Sequence, residues 1–377
     1  MKIVFLCGAL EPGCDGVGDY TRSLALELIS YGNEIAIISI NDPYISDEIY
    51  SDKRPGNGLA VYRIPAVFSE NKRFYLAKKW VAEINPEWVS IQFVIYSFHP
   101  KGLPWNIGKN LKEIVSGRKC HLMFHEIWIG FTKISTLKHR VTGFFQRRIV
   151  LSLVNQLPFC RVTTTNRLYQ VILSENNVCA YILPLFSNIP VAPVKHTFTK
   201  EVFSNFSISD ETLHEWVLAG IFGNLYPQAK LENAIRELLD DTTSRKKKLA
   251  FIGFGKMNSE GLAEFDRLEQ IFLNRVQFVH LGEQPSENVS NLLQMLNVGF
   301  SCTPTQHIGK SGVFAAMKLH NLKVILPTAE VIPEYDAEIK KYQQHFINRP
   351  QNKWSVSYIA TQFFKVLDDS QANNYNE

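Results

Sequence analysis

The six cysteines of this 377-residue sequence (7, 14, 120, 160, 179 and 302) lie far apart, and none falls in a Cys-x-x-Cys spacing. Zinc and disulfide frameworks are therefore not expected, and the reading is six reduced, mostly buried thiols. Long apolar runs are also missing. No stretch reaches the roughly 18 uninterrupted apolar residues of a membrane span, and residues 2–7 are too short for the apolar part of a signal peptide, so a cytoplasmic protein is expected. Excess charge of one sign is absent too, since 40 basic against 36 acidic residues leave a formal +4. Short basic runs such as residues 245–248 read as solvated surface, and no nucleic-acid partner is expected.

What is present is a globular balance, 45% hydrophobic and 20% charged, over a length that suits two domains. Residues 2–7 read as a buried strand, 8–18 as a glycine-rich loop, 19–31 as a helix ended by Gly32, and 34–40 as the next strand. Strand, loop, helix and strand in that order make the unit of a parallel sheet with a right-handed crossover. Further strands are expected at 88–93, 119–124 and 161–165. Three prolines between 184 and 193 suit an interdomain connection. The pattern then restarts, with strands at 216–221, 248–252, 276–281, 298–302 and 323–326 separated by helical segments. The fold class expected is α/β, two Rossmann-like doubly wound domains, at residues 1–190 and 191–354. A C-terminal helical segment, 355–377, has the apolar spacing to pack back on the first domain.

In doubly wound sheets ligands bind beyond the carboxyl ends of the strands, so the residues just after each strand are the candidates. Gly16, Val17 and Gly18 lie just ahead of the first helix, which Asp19 begins, and there glycine lets backbone N–H groups approach an anion. The signal is weak alone, because a strand-to-helix turn needs glycine for its geometry as well. A dinucleotide site would want Gly-x-Gly-x-x-Gly at once after the strand, which this loop lacks, although Asp42 could stand as its ribose ligand. Later, residues 301–317 run from a strand through a polar loop into a helix opened by Gly309, Lys310, Ser311, Gly312 and Val313. Free N–H donors, a hydroxyl and a mobile cation at one point suit a phosphate; the other reading is a capped helix with a solvent lysine. The turn glycines Gly253, with Lys256 beyond it, and Gly282, followed by Glu283, complete the second-domain set. His125, at the end of the 119–124 strand, reads either as a site residue or as a core histidine.

Taken together these motifs resemble the nucleotide-sugar glycosyltransferases of the two-Rossmann GT-B fold, and within them the large retaining family 4. Residues 13–21 look like that family's N-terminal glycine loop, 124–128 like its histidine segment, and 186–190 like its linker. Residues 251–255, 280–282 and the Lys310 segment are similar to its second-domain turns and its nucleotide-facing helix. The resemblance implies two domains facing across a cleft. It implies a UDP-sugar, such as UDP-glucose, as donor substrate, no separate cofactor, and a saccharide or lipid-linked acceptor in polysaccharide biosynthesis. It also allows peripheral contact with the cytoplasmic membrane face. Carried over, Gly16 and Gly18 would face the diphosphate or acceptor, and His125 would contact the donor sugar near its reacting carbon or 6-hydroxyl. Gly282 and Glu283 would offer backbone groups to the base, and Ser311, Gly312 and Val313 would bind phosphate through N–H groups. Glu126 is a second catalytic candidate, although adjacent strand residues point to opposite faces.

The departures from the family are specific. Its Arg and Lys after the second domain's first turn are replaced by Asn224 and Ala229, and its two glutamates eight positions apart by Ile308 and Ala316. A diphosphate needs compensating charge, so Lys310 is expected to have taken over that role, with Lys256 and Lys230 as further candidates. No Asp-x-Asp occurs. That pair is the usual metal clamp of the other main transferase fold, so metal-independent transfer is expected. Two other readings stay open: a sugar-nucleotide-binding protein without turnover, and a sugar-nucleotide epimerase on the same scaffold.

Overall fold

The structure is a computed structural model and describes residues 1–52, 58–132, 135–157, 159–327 and 336–368. The last nine residues of the expected C-terminal segment, 369–377, lie outside the described residues. Two compact units divide the chain: Met1–Pro184 with Val356–Glu377, and Leu185–Ser355.

The first unit is built on an eight-stranded sheet. Its strands are β1 (Lys2–Cys7), β2 (Glu34–Asp42), β3 (Ile49–Asp52), β4 (Ala60–Pro65), β5 (Trp88–Phe93), β6 (Lys119–Phe124), β7 (Arg161–Thr164) and β8 (Tyr181–Ile182). They lie in the order β3-β4-β2-β1-β5-β6-β7-β8, all parallel except β3, which runs antiparallel to β4. β1 is central, and Ile3 to Cys7 are wholly buried. This explains its unbroken apolar run, since a parallel strand covered on both faces shows no alternation. The Val356–Leu367 helix packs on this unit, with Phe363 against Phe5 (ring centroids 5.7 Å apart) and against His121 (5.1 Å).

The second unit carries five parallel strands: β9 (Trp216–Phe222), β10 (Lys248–Phe254), β11 (Val276–His280), β12 (Val298–Phe300) and β13 (Lys323–Ile325). Their order is β11-β10-β9-β12-β13, so the direction of winding reverses between β9 and β12. Side chains of Ile221, Phe251, Phe265, Phe278 and Phe300 meet in its core. The crevice at such a reversal is where doubly wound sheets take ligands, and the segment after β12 opens there.

Three details differ from the sequence reading. The first helix spans Gly16–Ser30 rather than beginning at residue 19, because Asp15 caps it: its Oδ1 accepts the Gly18 N–H at 2.6 Å. The expected set of six free thiols is corrected, since Cys120 at the start of β6 and Cys160 just before β7 are joined as a disulfide. Cys7 and Cys302 are buried thiols, whereas Cys14 and Cys179 are exposed. The pairing was hidden in sequence because 40 residues separate the two cysteines, and only strand register makes them neighbours. Finally, β3, β4 and the helices Glu70–Ile84, His196–Ser204 and Asp336–Ile347 add elements that the reading did not place.

Candidate functional site

In the second unit the turn after β12 is organised around Ser311. Its hydroxyl caps the Gly312–Leu319 helix by accepting the Phe314 N–H at 3.2 Å and lies 2.8 Å from the Thr303 hydroxyl. The Ser311 N–H is given to the Ile308 carbonyl at 3.1 Å. Of the three expected phosphate-binding amides, those of Gly312 and Val313 therefore remain as first-turn donors. A side chain added at Gly312 would meet no atom within 4 Å, so space lies open beside these donors. Lys310 sits one residue before the cap. Burial first and the charge of Lys310 second push His307 down to about 4, so His307 is neutral at pH 7. Thr303, the partner of Ser311, went unnoticed in sequence because nothing about a threonine eight residues upstream signals that contact.

The neighbouring turns also sit at carboxyl strand ends. Gly255 (φ +89°) donates its N–H to the Gly282 carbonyl at 2.8 Å, and Gly282 itself adopts φ +65° with open space at its Cα. Positive φ favours glycine at both. Lys256 and Glu283 are exposed beside them. Gly253 has a different reason for being glycine: it lies inside β10, where a Cβ would approach the Phe265 ring to 2.6 Å. Its place is in the packing of the unit.

The positions where the resembled family carries charge are filled otherwise. Asn224 Oδ1 accepts the Asn258 N–H at 3.0 Å, tying the turn after β9 to the start of the Ser259–Ile271 helix that follows β10. Ala229, Ile308 and Ala316 are 1%, 3% and 1% exposed, so each is core and has no room for an ion.

In the first unit the loop after β1 is acidic. Asp15 caps the Gly16–Ser30 helix, and Asp19 accepts the Gly13 N–H at 3.1 Å. Burial raises both carboxyls above their ordinary values. Asp42 is fully buried and bound by Arg63 Nε at 2.7 Å and by the Leu10 N–H at 3.1 Å, so its carboxylate is a structural tie and not a ribose ligand. Gly16 opens onto free space, whereas a Cβ at Gly18 would lie 2.6 Å from the Ala9 carbonyl, so Gly18 is required by the packing of the helix on its own loop. Val17 and Asp19 share this first turn.

His125 follows β6 and is 5% exposed, with Tyr20 edge-on at 5.0 Å. Its Nε2 lies 2.9 Å from Gln92 Oε1, and burial lowers its pKa to about 3, so the ring is neutral. Glu126, the next residue, is half-buried. Gln92 escaped the sequence reading because strand register alone brings β5 beside β6.

No protein-family model matches this chain, and no curated protein matches it in sequence. Solved structures do match along its whole length, and they define the fold as α/β of the GT-B type, two Rossmann-like units. One is Anabaena HepE in complex with UDP and glucose, at 15% identity and TM-score 0.53, covering 97% of this chain and 99% of that one. A second is a glycosyltransferase from Rickettsia africae, at 12% identity and TM-score 0.55, covering 98% and 99%. A third is the catalytic domain of starch synthase IV from Arabidopsis thaliana bound to ADP and acarbose, at 13% identity and TM-score 0.50, covering 97% and 98%. Among the described residues no helix is long and apolar enough to cross a membrane.

Proposed function

We propose that the chain is a cytoplasmic glycosyltransferase, similar to family 4, that moves a hexose from a nucleoside-diphosphate sugar to a saccharide or lipid-linked saccharide acceptor in exopolysaccharide synthesis. UDP-glucose or a related UDP-sugar is the donor of choice, and transfer is retaining and metal-independent. The observation that carries this reading is the hydroxyl-capped Gly312–Leu319 helix at the strand-order reversal of a GT-B fold. Its Gly312 and Val313 amides are directed to a diphosphate, and Lys310 supplies positive charge where the leaving group's charge develops. Gly282 and Glu283 are assigned to the base and Lys256 to the phosphates. In the first unit the acidic loop at Gly16–Asp19 suits neutral, hydroxyl-bearing groups better than a diphosphate, and His125 meets a sugar hydroxyl. Glu126 remains its catalytic neighbour.

The test is release of UDP from UDP-glucose with and without added saccharide acceptors, alongside titration of UDP alone. Acceptor-dependent release supports transfer. The core placement of Ile308 and Ala316, where the family carries glutamates, favours one other reading, a donor-binding protein without turnover. Tight UDP binding with no release under any acceptor would select it. Formation of an epimer of the donor without acceptor would point to epimerase chemistry.

Membrane contact is assigned to the Leu137–Gln156 helix. It contains no acidic residue, and its outward stripe of Leu137, Val141, Phe144 and Phe145 is 77%, 51%, 49% and 39% exposed. Lys138, Arg140, Arg147 and Arg148 flank that stripe, and Trp105, 60% exposed, packs edge-on to Phe145 at 5.8 Å. A basic face with outward aromatics matches an anionic bilayer surface. Sedimentation with anionic vesicles, lost on Phe144→Ser/Phe145→Ser, is expected; equal binding to neutral vesicles would overturn the assignment.

A further inference from the structure

The polar side chains of β5, β6 and β7 form a chain of hydrogen bonds whose direction is fixed at its far end. Thr163 Oγ1 lies 3.0 Å from Met123 Sδ, and a thioether has no proton to give, so the threonine hydroxyl donates to sulfur. Its oxygen must then accept from His121 Nε2, 2.9 Å away. A neutral imidazole carries one N–H, so His121 Nδ1 is an acceptor and takes the Ser90 hydroxyl proton at 2.8 Å. Ser90 Oγ accepts in turn from Gln92 Nε2 at 2.9 Å. This leaves Gln92 Oε1 facing His125 Nε2 at 2.9 Å, and an amide oxygen can only accept. The His125 proton therefore sits on Nε2. Burial keeps both rings neutral by lowering each to about 3, which is what a one-proton chain needs.

We propose that this relay, anchored on the Met123 sulfur, locks His125 as the Nε2–H tautomer and presents its Nδ1 as an acceptor, so that the substrate group it takes is a hydroxyl and not a phosphate oxygen. Gln92, Ser90, His121 and Thr163 act through His125 and are positioning residues. The inference rests on the proposed glycosyltransferase reading only in naming that hydroxyl as a sugar's; the tautomer stands on the hydrogen bonds alone. All five residues are 5% exposed or less, so water has little access to scramble the order.

Long-range proton–nitrogen NMR of the full chain labelled at histidine tests it, with His125 assigned by a His125→Gln spectrum. At pH 7 the expected pattern is His121 and His125 both protonated at Nε2, with His125 Nδ1 resonating as a bare nitrogen. Finding His125 protonated on Nδ1, or on both nitrogens, overturns the relay. Thr163→Val removes the oxygen that takes the His121 proton, so the chain is free to reverse. His125 should then gain an Nδ1–H population and kcat/KM should fall about tenfold, the scale of one lost hydrogen bond, with Thr163→Ser restoring both. An unmoved tautomer in a folded Thr163→Val protein overturns the relay, and if that variant does not fold the wild-type spectrum still decides. UDP-glucose should shift His125 Nδ1. A donor that stabilises the protein thermally yet leaves that resonance in place overturns the acceptor role. A donor that does not bind at all sinks the functional reading, while the free-protein spectrum continues to judge the relay.

Discussion

In each unit a strand leads through a glycine-bearing loop into a helix, but the two helix N-termini are capped by different chemistry. In the first unit the cap is a carboxylate, Asp15, with Asp19 one turn further on. In the second it is a hydroxyl, Ser311, with Lys310 beside it. A helix N-terminus attracts negative charge because its unpaired N–H groups and aligned peptide dipoles present partial positive charge. Asp15 already satisfies that demand in its own helix, so a second anion there would meet like charge. Ser311 satisfies one N–H and leaves the field uncompensated. Glycine marks both turns in sequence, yet the capping residue decides which of them can hold a diphosphate.

Exchanging the caps should have the largest effect. Ser311→Asp keeps the second helix capped, so the melting temperature should move by no more than a few degrees, but UDP affinity should fall about a hundredfold as the new carboxylate takes the amides and repels the diphosphate. Titration calorimetry measures it, and unchanged affinity would erase the distinction between the two turns. Lys310→Ala is expected to weaken UDP about tenfold, because one charge-assisted contact is lost while the amides stay. If affinity is unaltered, the charge replacing the missing family Arg and Lys comes from elsewhere.

The first unit carries a pH handle in a pair of buried, hydrogen-bonded histidines. His121 and His125 fold in the neutral form with values lowered from 6.5 to about 3. Their folded values are depressed, so their contribution is fully present above the unfolded value of 6.5 and lost as pH falls from there towards 3, by about 1 kcal/mol per pH unit for each ring. Asp15 and Asp19 run the other way: their raised folded values favour the fold at acid pH, with that contribution lost as pH rises through them. Chemical denaturation between pH 7 and 5 should therefore show falling stability, and His121→Asn should flatten the slope if it folds; a level profile in the wild-type protein would mean that the rings are not buried neutral. The smallest effect belongs to Asp15→Ser. One good cap replaces another, so stability should change by less than about 1 kcal/mol and UDP affinity should not change. A clear gain or loss of UDP binding would place the nucleotide in the wrong unit.

Much of the architecture was legible because parallel strands buried on both faces read as plain apolar runs. β1, β5 and β6 fall at the residues expected of them. The start of the first helix was not, since Gly16, Val17 and Gly18 look like loop until Asp15 is seen to cap them, and tertiary packing of Gly18 on Ala9 overrides its poor helix propensity. At the candidate site, Lys310, Ser311 and Gly312 could be picked out because strand, polar loop and helix are contiguous in sequence. The Thr163–His121–Ser90–Gln92–His125 relay could not, because its members come from three strands whose register the sequence does not state. The Cys120–Cys160 pair was missed for the same reason.

A crystal structure of the protein with UDP would show whether the second unit's hydroxyl-capped turn receives a nucleoside diphosphate. Diphosphate oxygens are expected within about 3 Å of the Gly312 and Val313 amides, with Lys310 alongside. A diphosphate seated on the Asp15–Asp19 loop, or UDP bound away from residues 303–313, would contradict it.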